Sequence, residues 1–175
     1  MGKCTFKGRE FNTEGHVPTV GSKAPPFKLV ASNLSEVTLD TYKGKRKVLN
    51  VFPSIDTSTC AKSVQRFNKE AAAHPDVVVM NVSHDLPFAH KRFCVTEGID
   101  RCEALSAFRS SFGCDYGLLI KDGPLEGLLS RAVIVLSAKD EVVYVEHVSE
   151  IAEEPNYDAA LMALRAARPG VIATD

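Results

Sequence analysis

The stretch KVLNVFPSIDTSTC, Lys47–Cys60, contains the pattern that decides the fold. Its first part, Lys47–Phe52, is an apolar run with β-branched residues, which predicts a buried strand that ends at Pro53. Apolar residues then recur at helical spacing through Thr57–His74 until a proline stops the pattern, so a helix is expected next. The stretch therefore places Cys60 in the first turn of a helix that follows a central strand.

A second buried strand is predicted directly after this helix, at Val77–Val82. A strand-helix-strand order implies a right-handed crossover and a parallel strand pair, so residues 47–82 are expected to form a βαβ unit. Near the start of the chain, Thr5–Thr13 has a Lys7-Gly8 pair between two short runs, which predicts a β-hairpin.

Most of the remaining chain also divides into short strands and helices. Asp85 is expected to cap a helix that carries Cys94 and ends at Gly98. Further strands are predicted at Phe27–Ser32, Arg131–Ser137 and Glu141–Val148, further helices at Leu105–Phe112 and Tyr157–Arg168, and an extended or turn segment at Val37–Tyr42. This order predicts the α/β class, with a central mixed β-sheet flanked by helices and an N-terminal β-hairpin, in a single domain over residues 1–175.

The composition is that of an ordinary globular protein of 175 residues. Hydrophobic residues make up 45% and no apolar run is long enough to span a bilayer, so no membrane partner is expected. The net charge of −1, without a long run of one sign, gives no reason to expect a nucleic-acid partner. Met1–Glu10 has no apolar stretch of signal-peptide length, which favours a cytoplasmic location and reduced cysteines.

Cys60 is the residue with the strongest chemical signal. A cysteine at the start of a helix lies at the positive end of the helix dipole and near unpaired backbone N–H groups, which favour the thiolate over the thiol. The dipole contributes only about 0.3–1 kcal/mol, so a positively charged side chain must add more. The hydroxyl of Thr57, one turn earlier, is expected to donate to the sulfur or to a bound oxygen, and Pro53 to shield one side of the pocket.

The identity of that positive side chain is not settled by spacing alone. Arg131 at the start of a strand, Arg66 and Arg109 are all candidates, although helical geometry leaves Arg66 about one and a half turns beyond Cys60 and favours a surface position.

Several segments in order along the chain resemble one known family. The motif Pro53-x-x-x-Thr57-x-x-Cys60 looks like the peroxidatic-cysteine motif of the peroxiredoxins, and its setting is similar to that of the bacterial thiol peroxidase subfamily. Further matches are GSKAP at Gly21–Pro25, DLPFAHKRFC at Asp85–Cys94, DGPLEGLLSRAVIVL at Asp122–Leu136 and EPNYDAAL at Glu154–Leu161. Because the matches cover nearly the whole chain, we interpret it as an atypical 2-Cys peroxiredoxin.

The resemblance implies a thioredoxin-like fold and a role for each site residue. Cys60 would be the peroxidatic cysteine, Thr57 and Arg131 its activating partners, and Pro53 a residue that shapes the pocket. Cys94 would be the resolving cysteine, which forms an intramolecular disulfide with Cys60 after the sulfenic acid has formed. Since both cysteines fall on predicted helices, one or both helices would have to unwind locally.

The resemblance also implies the partners of the enzyme. It suggests hydrogen peroxide and alkyl hydroperoxides as substrates, thioredoxin as reductant, a homodimer, an antioxidant function, and neither a cofactor nor a metal. Apolar neighbours such as Phe52 and Phe93 would favour alkyl hydroperoxides.

Some cysteine and histidine residues have no part in this scheme. Cys4, Cys102 and Cys114 are interpreted as structural or incidental, although Cys102 is close enough in sequence to Cys94 to compete as a resolving thiol. His90 and Cys94 share a helix face, but the spacings typical of a zinc site are missing, so a solvated helix face is favoured.

Two rival functions from other classes remain beside that of a peroxidase. A disulfide reductase would need a Cys-x-x-Cys pair at the helix start, and positions 57 and 63 are Thr and Ser. A redox sensor with the same fold would be oxidised once and slowly, whereas an enzyme turns over repeatedly with a reductant.

Overall fold

The computed structural model describes residues 2–168, and its strands form one sheet of seven strands and one of three. The strands are β1 Gly2–Phe6, β2 Arg9–Glu14, β3 Leu29–Ala31, β4 Glu36–Val37, β5 Arg46–Val51, β6 Val77–Ser83, β7 Glu103–Ser106, β8 Leu119–Ile120, β9 Ala132–Leu136 and β10 Val142–His147. The α-helices are α1 Ser58–Ala71, α2 Pro87–Glu97, α3 Phe112–Asp115 and α4 Tyr157–Ala166, and a short 3-10 helix covers Leu39–Tyr42.

The large sheet has the strand order β10-β9-β5-β6-β7-β3-β4. β5 pairs in parallel with β6 and antiparallel with β9, so the sheet is mixed, as predicted. All residues of β5 and β9 are buried because both faces of the sheet are covered. On one face, α1 and α4 pack Phe67, Ala71, Leu161 and Leu164 onto the strands.

The βαβ unit and the N-terminal hairpin are confirmed. β5, α1 and β6 follow one another with the parallel register Val51↔Val82. β1 and β2 pair around a turn in which Lys7 and Gly8 have φ values of 52° and 78°. Two consecutive positive φ values match the right-handed twist of the strands, which explains the tight turn.

The expectation of a helix over Leu105–Phe112 is wrong. Glu103–Ser106 instead forms β7, parallel to β6 with Leu105 opposite Val82, and the helix is limited to Phe112–Asp115. A short apolar run fits a buried strand as well as a buried helix, and the free edge of β6 decides between the two.

The cap of α2 also differs from the prediction. The helix begins at Pro87 with Leu86 as its N-cap, while Gly98 ends it in the left-handed conformation as expected. Asp85 lies before the cap, and its carboxylate accepts hydrogen bonds from the loop that precedes Cys60. Among residues 2–168, no helix has the length and apolar character needed to cross a bilayer.

Candidate active site

The loop between β5 and α1 ends at the N-cap of α1, Thr57. Thr57 has extended backbone angles, and its hydroxyl donates to the carbonyl of Ser54 at 3.0 Å, so the side chain does not cap the helix. Cys60 is therefore the third residue of α1, in the first turn, where backbone N–H groups lack partners within the helix.

The Cys60 side chain is fully buried. Phe52, Ile55 and Val64 pack around it in an apolar cluster. Its sulfur accepts a hydrogen bond from Nη2 of Arg131 at 3.1 Å. An apolar environment alone would favour the neutral thiol, whereas a guanidinium in contact favours the thiolate, so the two effects oppose each other at this sulfur.

Sheet register brings Arg131 to this position. Ala132, the first residue of β9, pairs with Val51, the last residue of β5. Arg131 therefore lies beside the end of β5, where the loop that leads to α1 and Cys60 begins. Arg66 and Arg109 remain on the surface, where they pair with Glu70 and Glu36.

The guanidinium of Arg131 is itself buried, with 1% of the residue exposed. Nε donates to the carbonyl of Ile151 at 2.8 Å, Nη2 donates to Cys60, and Nη1 has no partner among the described residues. Within residues 2–168 no carboxylate pairs with this arginine. A buried cation without a counter-charge is costly, and among the described residues the Cys60 sulfur is the side-chain atom to which this guanidinium donates.

A cavity of about 280 Å³ opens beside the guanidinium. Pro53, Thr57 and Arg131 line it together with the apolar side chains of Phe6, Leu125, Leu128 and Ile151. A wall of this kind buries an apolar group next to a charged one, which suits an amphiphilic ligand with one polar end.

The apolar residues that line this cavity differ from those predicted from the sequence. Phe52 and Phe93, the expected neighbours, belong to the apolar cluster around Cys60 and do not line the cavity. The actual lining comes from the N-terminal hairpin, the segment after β8 and the segment after β10. No local signal marks these residues, because only the tertiary fold brings their segments together.

Cys94 lies on α2, away from this cavity, and is half-buried. Burial, with a smaller contribution from Glu103, raises the pKa of its thiol. It lines a second cavity of about 400 Å³. Cys60 and Cys94 are both free thiols, so the structure represents the reduced protein with both helices formed.

Asp85 connects the two cysteine-bearing segments. Its carboxylate accepts from the Ser54 hydroxyl and from the backbone N–H of Ile55, each at 2.8 Å. Ser83 also donates to Asp85, and its hydroxyl lies 3.0 Å from Nε2 of the buried His90 on α2. His90 is thus an internal residue and not part of a solvated helix face, which corrects the expectation from sequence. Residues 2–168 contain no group of three or more His, Cys, Asp or Glu side chains placed to hold a metal ion.

The fold and the site together define a class of protein in which a mixed α/β sheet carries a buried cysteine at a helix start, in contact with an arginine that lines a cavity. Residues 19–161 match the model of the Redoxin family. The chain is 51% identical over 166 residues to the thiol peroxidase of Mycobacterium tuberculosis, covering 95% of this chain and 100% of that protein. It is 48% identical over 164 residues to the thiol peroxidase of Corynebacterium glutamicum, covering 94% and 99%.

A solved structure of a peroxiredoxin-like protein from Aquifex aeolicus superposes with a TM-score of 0.89 at 36% identity, covering 94% of this chain and 96% of that one. The chain belongs to the Redoxin family, within its thiol peroxidase branch. It has the thioredoxin-like fold of the peroxiredoxins and is a thiol-dependent peroxidase.

Proposed function

We propose that Cys60 is the peroxidatic thiol of this peroxidase and that Arg131, Thr57 and Pro53 form its peroxide pocket. The hydrogen bond from Arg131 to the Cys60 sulfur, beside a cavity that Thr57 and Pro53 also line, is the observation that supports these roles. The same guanidinium stabilises the thiolate before attack and the departing oxygen during it.

In the first step, the Cys60 thiolate attacks the terminal oxygen of a hydroperoxide. A sulfur–oxygen bond forms, the oxygen–oxygen bond breaks, and the alkoxide or hydroxide leaves as alcohol or water after it takes up a proton. Nη1 of Arg131 is free to donate to the oxygen on which charge develops. Cys60 is left as a sulfenic acid.

In the second step, Cys94 resolves this sulfenic acid. The Cys94 thiol loses its proton and attacks the Cys60 sulfur, the sulfur–sulfur bond forms, the sulfur–oxygen bond breaks, and the hydroxide takes up a proton to leave as water. Because both cysteines lie on formed helices in the reduced protein, α1, α2 or both must open locally to join them.

Both hydrogen peroxide and alkyl hydroperoxides are proposed as substrates. The apolar part of the cavity supports a preference for alkyl hydroperoxides, since burial of an alkyl group contributes about 25 cal/mol per Å². Hydrogen peroxide reaches the same arginine but gains nothing from the apolar wall.

Thioredoxin is the proposed reductant, in the cytoplasm, as part of an antioxidant defence. The test mixes the reduced protein with cumene hydroperoxide, thioredoxin, thioredoxin reductase and NADPH, and follows NADPH consumption. Sustained consumption that depends on the protein supports both the reaction and the reductant. Background consumption with a Cys60–Cys94 disulfide would count against thioredoxin alone, whereas an unreacted Cys60 would overturn its peroxidatic role.

Two variants test the roles of the cysteines in the same assay. Cys60→Ser is expected to abolish turnover. Cys94→Ser is expected to give one rapid oxidation and then stall as sulfenic acid or oxidise further. Full multiple turnover of Cys94→Ser would show that another thiol resolves.

We further propose that residues 1–175 form a single domain and that the protein is a homodimer. Phe88 and Val95, seven positions apart on one face of α2, are 66% and 75% exposed. Exposed apolar side chains on one face are typical of a contact surface. Phe88→Asp is expected to shift the mass measured by light scattering from dimer to monomer, and an unchanged dimer would place the contact elsewhere.

A further inference from the structure

Cys102 is a half-buried thiol with defined hydrogen bonds and no part in the proposed cycle. Nδ2 of Asn81 donates to its sulfur at 3.0 Å, and the thiol lies 3.7 Å from Oδ1 of Asn68, to which it donates. A donor aimed at a sulfur stabilises negative charge on it. Cys102 is therefore placed differently from Cys4, which lies in the apolar cluster of the hairpin, and from Cys114, which is exposed.

Cys102 lies close to Cys94. The chain turns back at Gly98, with φ at 66°, and the N–H of Ile99 donates to the carbonyl of Cys94 at 2.9 Å. Both thiols then line the same cavity of about 400 Å³. Burial chiefly raises the pKa of Cys102 to about 12, and charge on Cys94 is among the further causes.

Cys102 is also connected to the surroundings of Cys60. Its side chain packs against the apolar cluster that contains Cys60. A buried chain of hydrogen bonds links the two residues: Ser63 donates to the carbonyl of Cys60, and Nδ2 of Asn50 donates both to Ser63 and to Asn81, which in turn donates to Cys102. Cys102 thus packs against the cluster that contains Cys60 and lines the same cavity as Cys94.

We propose that Cys102 is a third redox-active thiol. It exchanges with the Cys60–Cys94 disulfide, so that a Cys94–Cys102 disulfide forms and Cys60 is released. The proposal rests on the proposed role of Cys94 as resolving thiol. The Cys102 thiolate attacks the Cys94 sulfur, the Cys94–Cys102 bond forms, the Cys60–Cys94 bond breaks, and the electron pair leaves with Cys60 as a thiolate. The Cys102 proton goes to solvent, and no further oxidant is consumed.

The direction of the exchange follows from the leaving group. Attack on a disulfide releases the more stable thiolate faster, and Arg131 is positioned to stabilise Cys60 but not Cys94. The attack is therefore directed at the Cys94 sulfur, with Cys60 returning to its buried position beside the arginine.

The exchange is limited to the oxidised protein. In the reduced fold, burial keeps Cys102 protonated and unreactive. Where α2 opens to join Cys60 to Cys94, the loop that follows α2 becomes exposed and Cys102 can ionise. The product carries its disulfide at a half-exposed cavity with polar walls that include Ser32, Asn33 and Ser35, where a reductant has access.

Tryptic mapping separates the three cysteines. Cleavage after Lys47, Lys62, Arg92, Arg101 and Arg109 places Cys60 in peptide 48–62, Cys94 in peptide 93–101 and Cys102 in peptide 102–109. The full chain is treated with one equivalent of cumene hydroperoxide, quenched with acid at successive times and alkylated. We expect peptide 48–62 linked to peptide 93–101 first, which reports the Cys60–Cys94 disulfide. Peptide 93–101 linked to peptide 102–109 should follow, which reports the Cys94–Cys102 disulfide.

Three variants provide the controls. Cys102→Ser should lose the second disulfide and retain Cys60–Cys94, while Cys114→Ser should behave as wild type. Cys60→Ser should form no Cys94–Cys102 disulfide on the same timescale, because oxidation enters through Cys60. A Cys94–Cys102 disulfide in Cys60→Ser would overturn the transfer step.

The disulfides found in the wild-type protein distinguish a failed exchange from a failed peroxidase cycle. A wild-type protein that stops at Cys60–Cys94 would overturn the exchange and leave the proposed cycle intact. A Cys60–Cys102 disulfide would make Cys102 the resolving thiol and overturn both. A Cys60 that stays reduced would overturn the proposed function itself.

Discussion

Nη2 of Arg131 lies 3.1 Å from the sulfur of Cys60, although the two residues are 71 positions apart in sequence. The contact joins the start of β9 to the first turn of α1. Among the described residues, Arg131 pairs with no carboxylate and Cys60 is otherwise surrounded by apolar side chains, so each is the other's polar side-chain partner.

Replacing this arginine is expected to make Cys60 much less reactive. A charge-assisted hydrogen bond contributes about 1.5–3 kcal/mol, so Arg131→Gln should slow alkylation of Cys60 by iodoacetamide at neutral pH about 10- to 100-fold. Peptide mapping separates this reaction from that of the other thiols.

Arg46→Gln is the matched control for that experiment. Arg46 is equally buried, with 1% exposed, but it donates to the carbonyl of Leu164 and pairs with Asp76. The Arg46→Gln variant should have a lower free energy of unfolding than wild type, but its Cys60 should be alkylated at the wild-type rate. Equal slowing in both variants would mean that the effect is general loosening of the fold.

The Thr57 hydroxyl is expected to accept a hydrogen bond from the peroxide. The hydroxyl proton of Thr57 is donated to the carbonyl of Ser54, so the hydroxyl oxygen has lone pairs available to accept a hydrogen bond. The sequence led us to expect that this hydroxyl donates to the sulfur or to the peroxide, whereas the structure favours an acceptor role. Thr57→Val should lower kcat/KM for peroxide about 5- to 30-fold, equivalent to about 1–2 kcal/mol, while Thr57→Ser should retain most activity.

Thr59→Val serves as the control for the hydroxyl of Thr57. Thr59 lines the same cavity, but its hydroxyl donates to the carbonyl of Ala152. Its kcat/KM should stay within about twofold of wild type, since this hydroxyl is outside the proposed reaction. If both valine variants lost activity equally, a specific role of Thr57 would be excluded.

Phe6 is expected to contribute to substrate preference. It belongs to the N-terminal hairpin and lines the cavity, so Phe6→Ala removes apolar wall without touching the groups that react. At about 25 cal/mol per Å², loss of about 40 Å² of contact should lower kcat/KM for cumene hydroperoxide about fivefold. Hydrogen peroxide is the internal reference, and a parallel loss for both substrates would argue against an apolar binding wall.

The stability of the reduced protein is expected to fall in mild acid because of His90. Burial lowers the pKa of His90 below its ordinary value of about 6.5, although Asp85 and Asp56 act in the opposite direction. The unfolded chain therefore takes up a proton at a pH where the folded protein does not. The contribution of His90 to the free energy of unfolding is therefore fully present above about pH 6.5 and decreases as the pH falls below that value.

Urea unfolding at pH 7.5 and pH 5.5 measures this effect. His90→Gln should reduce the pH dependence of the free energy of unfolding by at most about 1.4 kcal/mol per pH unit. Some dependence should persist, since burial also lowers the pKa of His147. An unchanged slope in His90→Gln would show that the pKa of His90 is the same in the folded and unfolded chain, and would contradict the effect of burial.

Some features of this protein follow from contiguous residues alone. The apolar run before Pro53 and the helical spacing after Thr57 predict β5 and α1, and the Lys7-Gly8 pair predicts the hairpin turn. These features depend on side-chain periodicity and on backbone preferences over a few residues, so they can be read locally. The position of Cys60 in the first turn of a helix is determined in the same way.

The rest was decided by the tertiary structure. Leu105 became part of a strand because β6 offered a free edge, and Asp85 binds the loop before Cys60 because β6 ends beside β5. Arg131 reaches Cys60 only through the pairing of β9 with β5, and Phe6 reaches the cavity only through the packing of the hairpin. The periodicity of a sequence specifies which face of an element is apolar, but the neighbour of that face is set by strand order and register, which depend on the whole chain.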